Sequence, residues 1–192
     1  MFGVMSCMKV LTAKEAKIIA NRFNHNIYNI GSPYFITSDL YWDGGINNSC
    51  SLQEKSEYYS LAIIMSNILK EILKCFNEDF YIAEFLCENH KMYEKWSDRK
   101  NFEIFKKISK IFKTKKFYQL TLLDNSNLID LVVESNFKYF SNISLFLPNV
   151  NIVIQPTCHT EIIIYSQGEK EKIFSNLNKI VSKYPEVQIK IY

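Results

Sequence analysis

The chain is short of the residues that bend and punctuate a backbone: among 192 residues there are five Gly and four Pro, well below average usage. Neither G-x-G-x-x-G nor G-x-x-x-x-G-K-[ST] occurs. Both phosphate cradles need those glycines so that backbone N–H groups can approach the phosphates, so nucleotide binding of either kind is not expected. Arginine is nearly missing, with Arg22 and Arg99 the two present. Bidentate recognition of phosphate, carboxylate or guanine leans on the guanidinium fork, and little of it is available. The N-terminal stretch MFGVMSCMKVLTAKEAK lacks an apolar run of signal length and a small-residue cleavage site. The longest apolar run, Leu61–Met65, is far shorter than a membrane span. A cytoplasmic location and no membrane contact are therefore expected. Cys7, Cys50, Cys75, Cys87 and Cys158 are irregularly spaced, which fits reduced thiols better than a disulfide framework.

What is present is ordinary globular material. Hydrophobic residues make up 47%, charged residues 22%, and the net charge is +3, which rules out disorder as the main state. The length fits a single α+β domain over residues 1–192, with a looser lobe over residues 1–50 left open. Thr12-Ala13-Lys14-Glu15 and Ser51-Leu52-Gln53-Glu54 are capping boxes. They predict helices from about Thr12 to Asn24 and from Ser51 to near Phe76. On the second, Tyr58, Leu61, Ala62, Met65, Ile68, Leu69, Ile72, Leu73 and Phe76 share one broad face, and Ile63 lies opposite. Tyr34–Trp42, Asp79–Cys87 and Phe117–Leu123 read as strands, and Ser97 or Asp98 caps a helix to Phe112. A fourth helix is predicted from Ser126 or Asn127.

The last fifty residues are the clearest. Ile143–Leu147, Asn151–Gln155 and Glu161–Ser166 read as short strands at hairpin spacing. A helix follows, with Ile173, Phe174, Leu177, Ile180, Val181 and Tyr184 on its apolar stripe and Pro185 as its stop. Val187, Ile189 and Ile191 then alternate with polar residues in a final strand. The expected fold is α+β, a mixed or mainly antiparallel sheet with about four helices and a C-terminal β-β-β-α-β unit.

Chemistry-bearing residues are scattered. Cys87-Glu88-Asn89-His90 offers half a metal site without a second half, so no metal and no cofactor is expected. Cys158 and His159 are sequence neighbours in a turn, a poor arrangement for a nucleophile and its base, and nothing brings His25 or His90 to them. Asp39 and Asp43 flank Tyr41 and Trp42, but Asp-Gly at this place is first a turn signal. Eight Lys or Arg lie between Arg99 and Lys116 against one Glu. They sit mostly opposite an apolar face, where a solvated helix puts them anyway, so nucleic acid is a lesser alternative.

Aromatic residues are 15% of the chain, twelve of them Tyr, and Tyr28, Tyr34, Tyr41, Trp42, Tyr58, Tyr59, Tyr93 and Trp96 gather in the first half. That exceeds one core, so several are expected at the surface, where Tyr and Trp anchor protein contacts. Tyr41, Trp42, Asp43, Glu54 and Glu57 are the candidate partner-binding residues; no catalytic residue is assigned. With its single domain, AT-rich usage, many tyrosines, lack of a catalytic signature and the stretch NVNIVIQPTCHTEIIIYS (Asn149–Ser166), the chain resembles bacterial immunity proteins that neutralise partner toxins, including those of contact-dependent inhibition. The resemblance implies a protein that occludes a cognate toxin domain. Immunity proteins against nucleases are often strongly acidic and this chain is slightly basic, which implies a toxin cleft that is not strongly basic, or inhibition away from it. The alternatives are a small enzyme, a transferase or hydrolase with an unadvertised site, and a nucleic-acid module using the Lys-rich face.

Overall fold

Two reciprocal caps start the N-terminal helices. The Thr12 N–H donates to Glu15 Oε2 at 2.8 Å while the Glu15 N–H donates to Thr12 Oγ1 at 3.3 Å. The Ser51 N–H donates to Glu54 Oε2 at 2.7 Å and the Glu54 N–H to Ser51 Oγ at 3.2 Å. Each box satisfies two of the backbone donors that a helix start leaves open. The computed structural model describes residues 8–23, 33–39, 49–76, 79–86, 117–138 and 141–191, with Glu103, Lys106, Lys107 and Lys110. These boxes open α1 (Ala13–Phe23) and α2 (Leu52–Phe76), as the sequence predicts. α3 (Leu122–Phe137) and α4 (Lys170–Val181) complete the helices of more than one turn among the described residues.

The strands are β1 (Lys9–Val10), β2 (Tyr34–Ser38), β3 (Phe80–Leu86), β4 (Phe117–Leu120), β5 (Ser141–Leu147), β6 (Ile152–Pro156), β7 (Ile162–Ser166) and β8 (Val187–Ile191). They form one sheet in the order β1-β4-β3-β5-β6-β7-β2-β8, antiparallel at every pairing. The fold is α+β with the expected β-β-β-α-β order at the C-terminus. One connection was not foreseen. β2, from the first fifty residues, lies between β7 and β8, so that part of the N-terminus is an interior strand of the sheet.

Alternation along the strands sorts the core. Ile36, Ile82, Leu145, Leu147, Ile152, Ile154, Ile162 and Ile164 point to one face, where they meet the apolar faces of α2, α3 and α4. α2 contributes Tyr58, Leu61, Met65, Ile68, Leu69 and Ile72. Ile63 stays 63% exposed, so among the described residues this long helix is covered on one side. On the opposite face, α1 lays Phe23 against Phe146 (ring centroids 5.3 Å apart), beside Ala83 and Val153. The centre of the molecule thus has three layers.

Two element boundaries differ from the sequence reading. β2 ends at Ser38 and Asp39 is a bend; residues 40–48, which would have continued the strand to Trp42, lie outside the described residues. β4 stops at Leu120, and Leu122 and Leu123 join α3 instead. Thr121 explains this. It is the N-cap, with extended backbone (φ −111°, ψ 149°), and its hydroxyl donates to the Asp124 carboxylate at 2.8 Å, so the helix starts inside a stretch whose apolar residues mimic a strand. Asn125 then departs from helical geometry (φ −126°, ψ 19°), and a second, regular segment runs on from Ser126, the residue at which the helix was expected to begin.

A buried amide ties α3 to the sheet. Asn136 Nδ2 donates to the carbonyls of Ile143 (2.8 Å) and Pro156 (2.9 Å), and its Oδ1 accepts from the Ile143 N–H at 3.1 Å. Fully buried, an amide survives only with such partners.

Candidate functional site

At about 100° per residue, Leu52, Ser56, Tyr59, Ile63, Asn67, Lys70 and Lys74 follow one line along α2. α3 runs antiparallel beside it and contributes Leu122, Leu123, Ser126, Asp130 and Glu134 at three- and four-residue spacing. Two hollows open along this seam. The larger, about 770 Å³, lies between Lys70, Lys74, Thr121, Leu123, Ser126 and Tyr184, the last from just beyond α4. The smaller, about 150 Å³, is lined by Tyr59, Ile63, Ser66, Asp130 and Glu134, among others. The Lys70–Asp130 ion pair, 2.5 Å, crosses the seam between them.

Most ionisable groups along the seam are engaged with one another. Glu71 Oε1 accepts from the Tyr184 hydroxyl at 2.6 Å, and Glu71 Oε2 accepts from Lys183 Nζ. These bonds, Lys183 first and Tyr184 second, hold the Glu71 carboxyl below the ordinary carboxylate range. Burial, then the bond to Glu71, raises the Tyr184 hydroxyl to about 12. Asp79 Oδ2 accepts from Gln119 Nε2 at 2.9 Å. At the other end, Glu134 meets Lys138 at 2.5 Å, and the Lys138 side chain is 1% exposed. Its Nζ lies 4.9 Å from the Tyr59 ring centroid and 5.9 Å from that of Tyr58, close enough for cation–π attraction.

The seam also shows apolar side chains to solvent. Leu123 is 91% exposed beside the larger hollow, and Ile63, 63% exposed, flanks the smaller. Leu52, farther along the same line, is 87% exposed. Among the described residues, neither hollow is lined by an imidazole or a thiol. No three His, Cys, Asp or Glu side chains among them gather as a metal site requires, and no helix among them is long and apolar enough to cross a membrane. The arrangement offers apolar anchors between fixed charges, which is the chemistry of surface contact.

The residues singled out from sequence fall elsewhere. Tyr41, Trp42 and Asp43 lie outside the described residues. Glu54 is spent on the cap of α2, and Glu57 Oε1 accepts from Gln53 Nε2 at 2.9 Å. Both sit more than about 100° from the seam line of α2. Tyr34 and Tyr58 are core residues, and Tyr59 is half-buried. Asp39 accepts from Gln188 at 3.0 Å. Cys158 and His159 occupy the β6–β7 turn, where the His159 N–H donates to Thr157 Oγ1 at 3.3 Å. His25, Cys87 and His90 are outside the described residues, whereas Lys106, Lys107 and Lys110 are exposed and helical. The seam itself left one trace in the sequence: Ile63 standing among polar residues at the spacing of a helical stripe. No family model, curated protein or solved structure matches the chain.

Proposed function

We propose that this chain is a protein-binding module that neutralises a partner, in the manner of the toxin-inhibiting immunity proteins it resembles, and that the α2–α3 seam is part of its contact surface. The observation that carries this reading is the pairing of exposed Leu123 and Ile63 with a furrow whose charges are fixed by mutual contacts. Ordered side chains lose little freedom on contact, and apolar anchors inside a charged rim are what hot spots are made of. From Leu52 to Lys74 the line spans roughly 33 Å at the helical rise, long enough for an interface of standard size. Tyr41 and Trp42 stand close ahead of Leu52 in the chain and are proposed as its aromatic extension, with Asp43. The seam takes the place of Glu54 and Glu57.

The second reading, a small enzyme, draws on the larger hollow, whose volume suits a small molecule. Against it stands the engagement of Lys70, Glu71 and Tyr184 with one another or with neighbours, which leaves them poorly placed to move protons.

The test is whether the tagged chain co-purifies with the product of the gene adjacent to its own, followed by titration calorimetry of Leu123→Asp and Ile63→Asp against it. Each variant is expected to weaken binding at least about tenfold, since each removes a hot-spot anchor. Thermal midpoints should barely move, because both side chains are already in water. Unchanged affinity in both variants, or no interaction between the two proteins, refutes the proposal.

A further inference from the structure

β8 closes the sheet order, and β2 is its one strand neighbour among the described residues. Its outer row of N–H and C=O groups is a template for another strand. One of the ways natural edges are guarded is a charged side chain, lysine above all. Here the lysine has a match within the same short segment. Written against itself in antiparallel sense about Gln188, the run Glu186-Val187-Gln188-Ile189-Lys190 sets acid opposite base, aliphatic opposite aliphatic and amide opposite amide. A twofold axis through Gln188 produces the charged and the aliphatic pair twice and the amide pair once.

The two faces of the edge agree with this. Gln188 and Lys190 share one face of β8 and Val187, Ile189 and Ile191 the other, while Glu186 is the turn residue that leads into the strand. On the second face Ile191 is 55% exposed and pairs in register with Tyr34. The Phe174 ring stacks on Tyr34 at 6.0 Å and is itself 38% exposed. One apolar patch therefore runs from α4 over the strand edge, and a twofold axis would double it across the junction. A pairing centred one residue later would face Gln188 with Lys190 and leave Glu186 without its base.

We infer that the β8 edge is the contact between two copies of this chain, joined by antiparallel β8–β8 pairing centred on Gln188. The interface is isologous, as a closed dimer requires. It extends two sheets into one, pairs outer backbone groups of the two β8 strands, and covers Ile191 and Phe174. It uses no residue of the α2–α3 seam.

Sedimentation velocity of the full chain, from about 1 μM to about 1 mM, spans the affinities of weak and moderate dimers and is expected to show a monomer–dimer equilibrium. E186K and K190E each place like charges opposite one another twice, and each should weaken the dimer by about tenfold. The double variant E186K/K190E restores opposite charges and should return to within about threefold of the parent. E186K does not threaten the monomer, because Asp39 leaves a carboxylate on the Gln188 face. I191K, at an exposed position, is a second route to the monomer, and circular dichroism checks that every variant folds. A chain that stays monomeric throughout, a dimer indifferent to both single charge changes, or a double variant no better than the singles overturns the inference.

Discussion

The α2–α3 seam carries two lysine–carboxylate contacts of equal length and opposite setting, one between the helices and one within the C-terminal turn of α3. Lys70–Asp130 and Lys138–Glu134 are both 2.5 Å long. The first is solvated, with side chains 22% and 48% exposed; the second is enclosed, at 1% and 20%. Distance is thus no guide to what each contributes. In water the attraction is screened and the ordering of two long side chains offsets much of it. Enclosed, the same attraction is strong, but it mainly repays the desolvation of Lys138, and the pair becomes costly to break rather than profitable to have.

The comparison breaks most visibly at the enclosed end. Glu134→Ala leaves Lys138 buried over Tyr59 without this carboxylate and should cost about 3 kcal/mol in urea denaturation. A loss under about 1 kcal/mol would mean that the cation escapes to water and that the two pairs are alike.

The Glu71–Lys183–Tyr184 cluster is an intermediate case, and pH separates its parts. The lowered Glu71 carboxyl contributes stability that is present above the ordinary carboxylate range and is lost as pH falls through its own lower value. Tyr184, raised to about 12, works in the other direction. Its contribution is whole below the ordinary tyrosine value of about 10 and disappears as pH rises from there towards the raised value. Tyr184→Phe should therefore flatten the alkaline limb of a stability–pH profile. Glu71→Gln should flatten the acid limb and cost about 1 kcal/mol at neutral pH. An unaltered alkaline limb in Tyr184→Phe would remove Tyr184 from this account.

The smallest effect belongs to the solvated pair. Lys70→Ala should change stability by less than about 1 kcal/mol, and raised salt should erase even that. If the seam is a contact surface, the same substitution has a larger effect on partner association rate than on folding.

Local signals made much of this architecture readable. Thr12 with Glu15 and Ser51 with Glu54 announce helix starts because the bonds they make span three residues. The C-terminal strands and α4 could be traced because hairpin spacing and the buried stripe of Ile173, Leu177 and Ile180 lie within short windows. The start of α3 was missed because Leu122 and Leu123 continue the apolar pattern of β4, while the chain turns into the helix at Thr121 without a capping-box bond to announce it. The place of β2 between β7 and β8 could not be read, since pairing partners more than a hundred residues apart leave no local mark. Apart from Ile63, the seam was hidden for the same reason. Lys70 and Asp130 look like ordinary solvated charges until packing sets them face to face.

Asn136 has a consequence for how the chain assembles. Its one amide checks groups from two different strands, a carbonyl and an N–H of Ile143 and a carbonyl of Pro156. Were β5 and β6 to zip up one residue out of step, side chains would swap faces, and this amide would be sealed in an apolar interior with nothing to bond. Misthreaded chains are thus penalised at a single inspection point, whereas an aliphatic residue there would let near-correct assemblies pass.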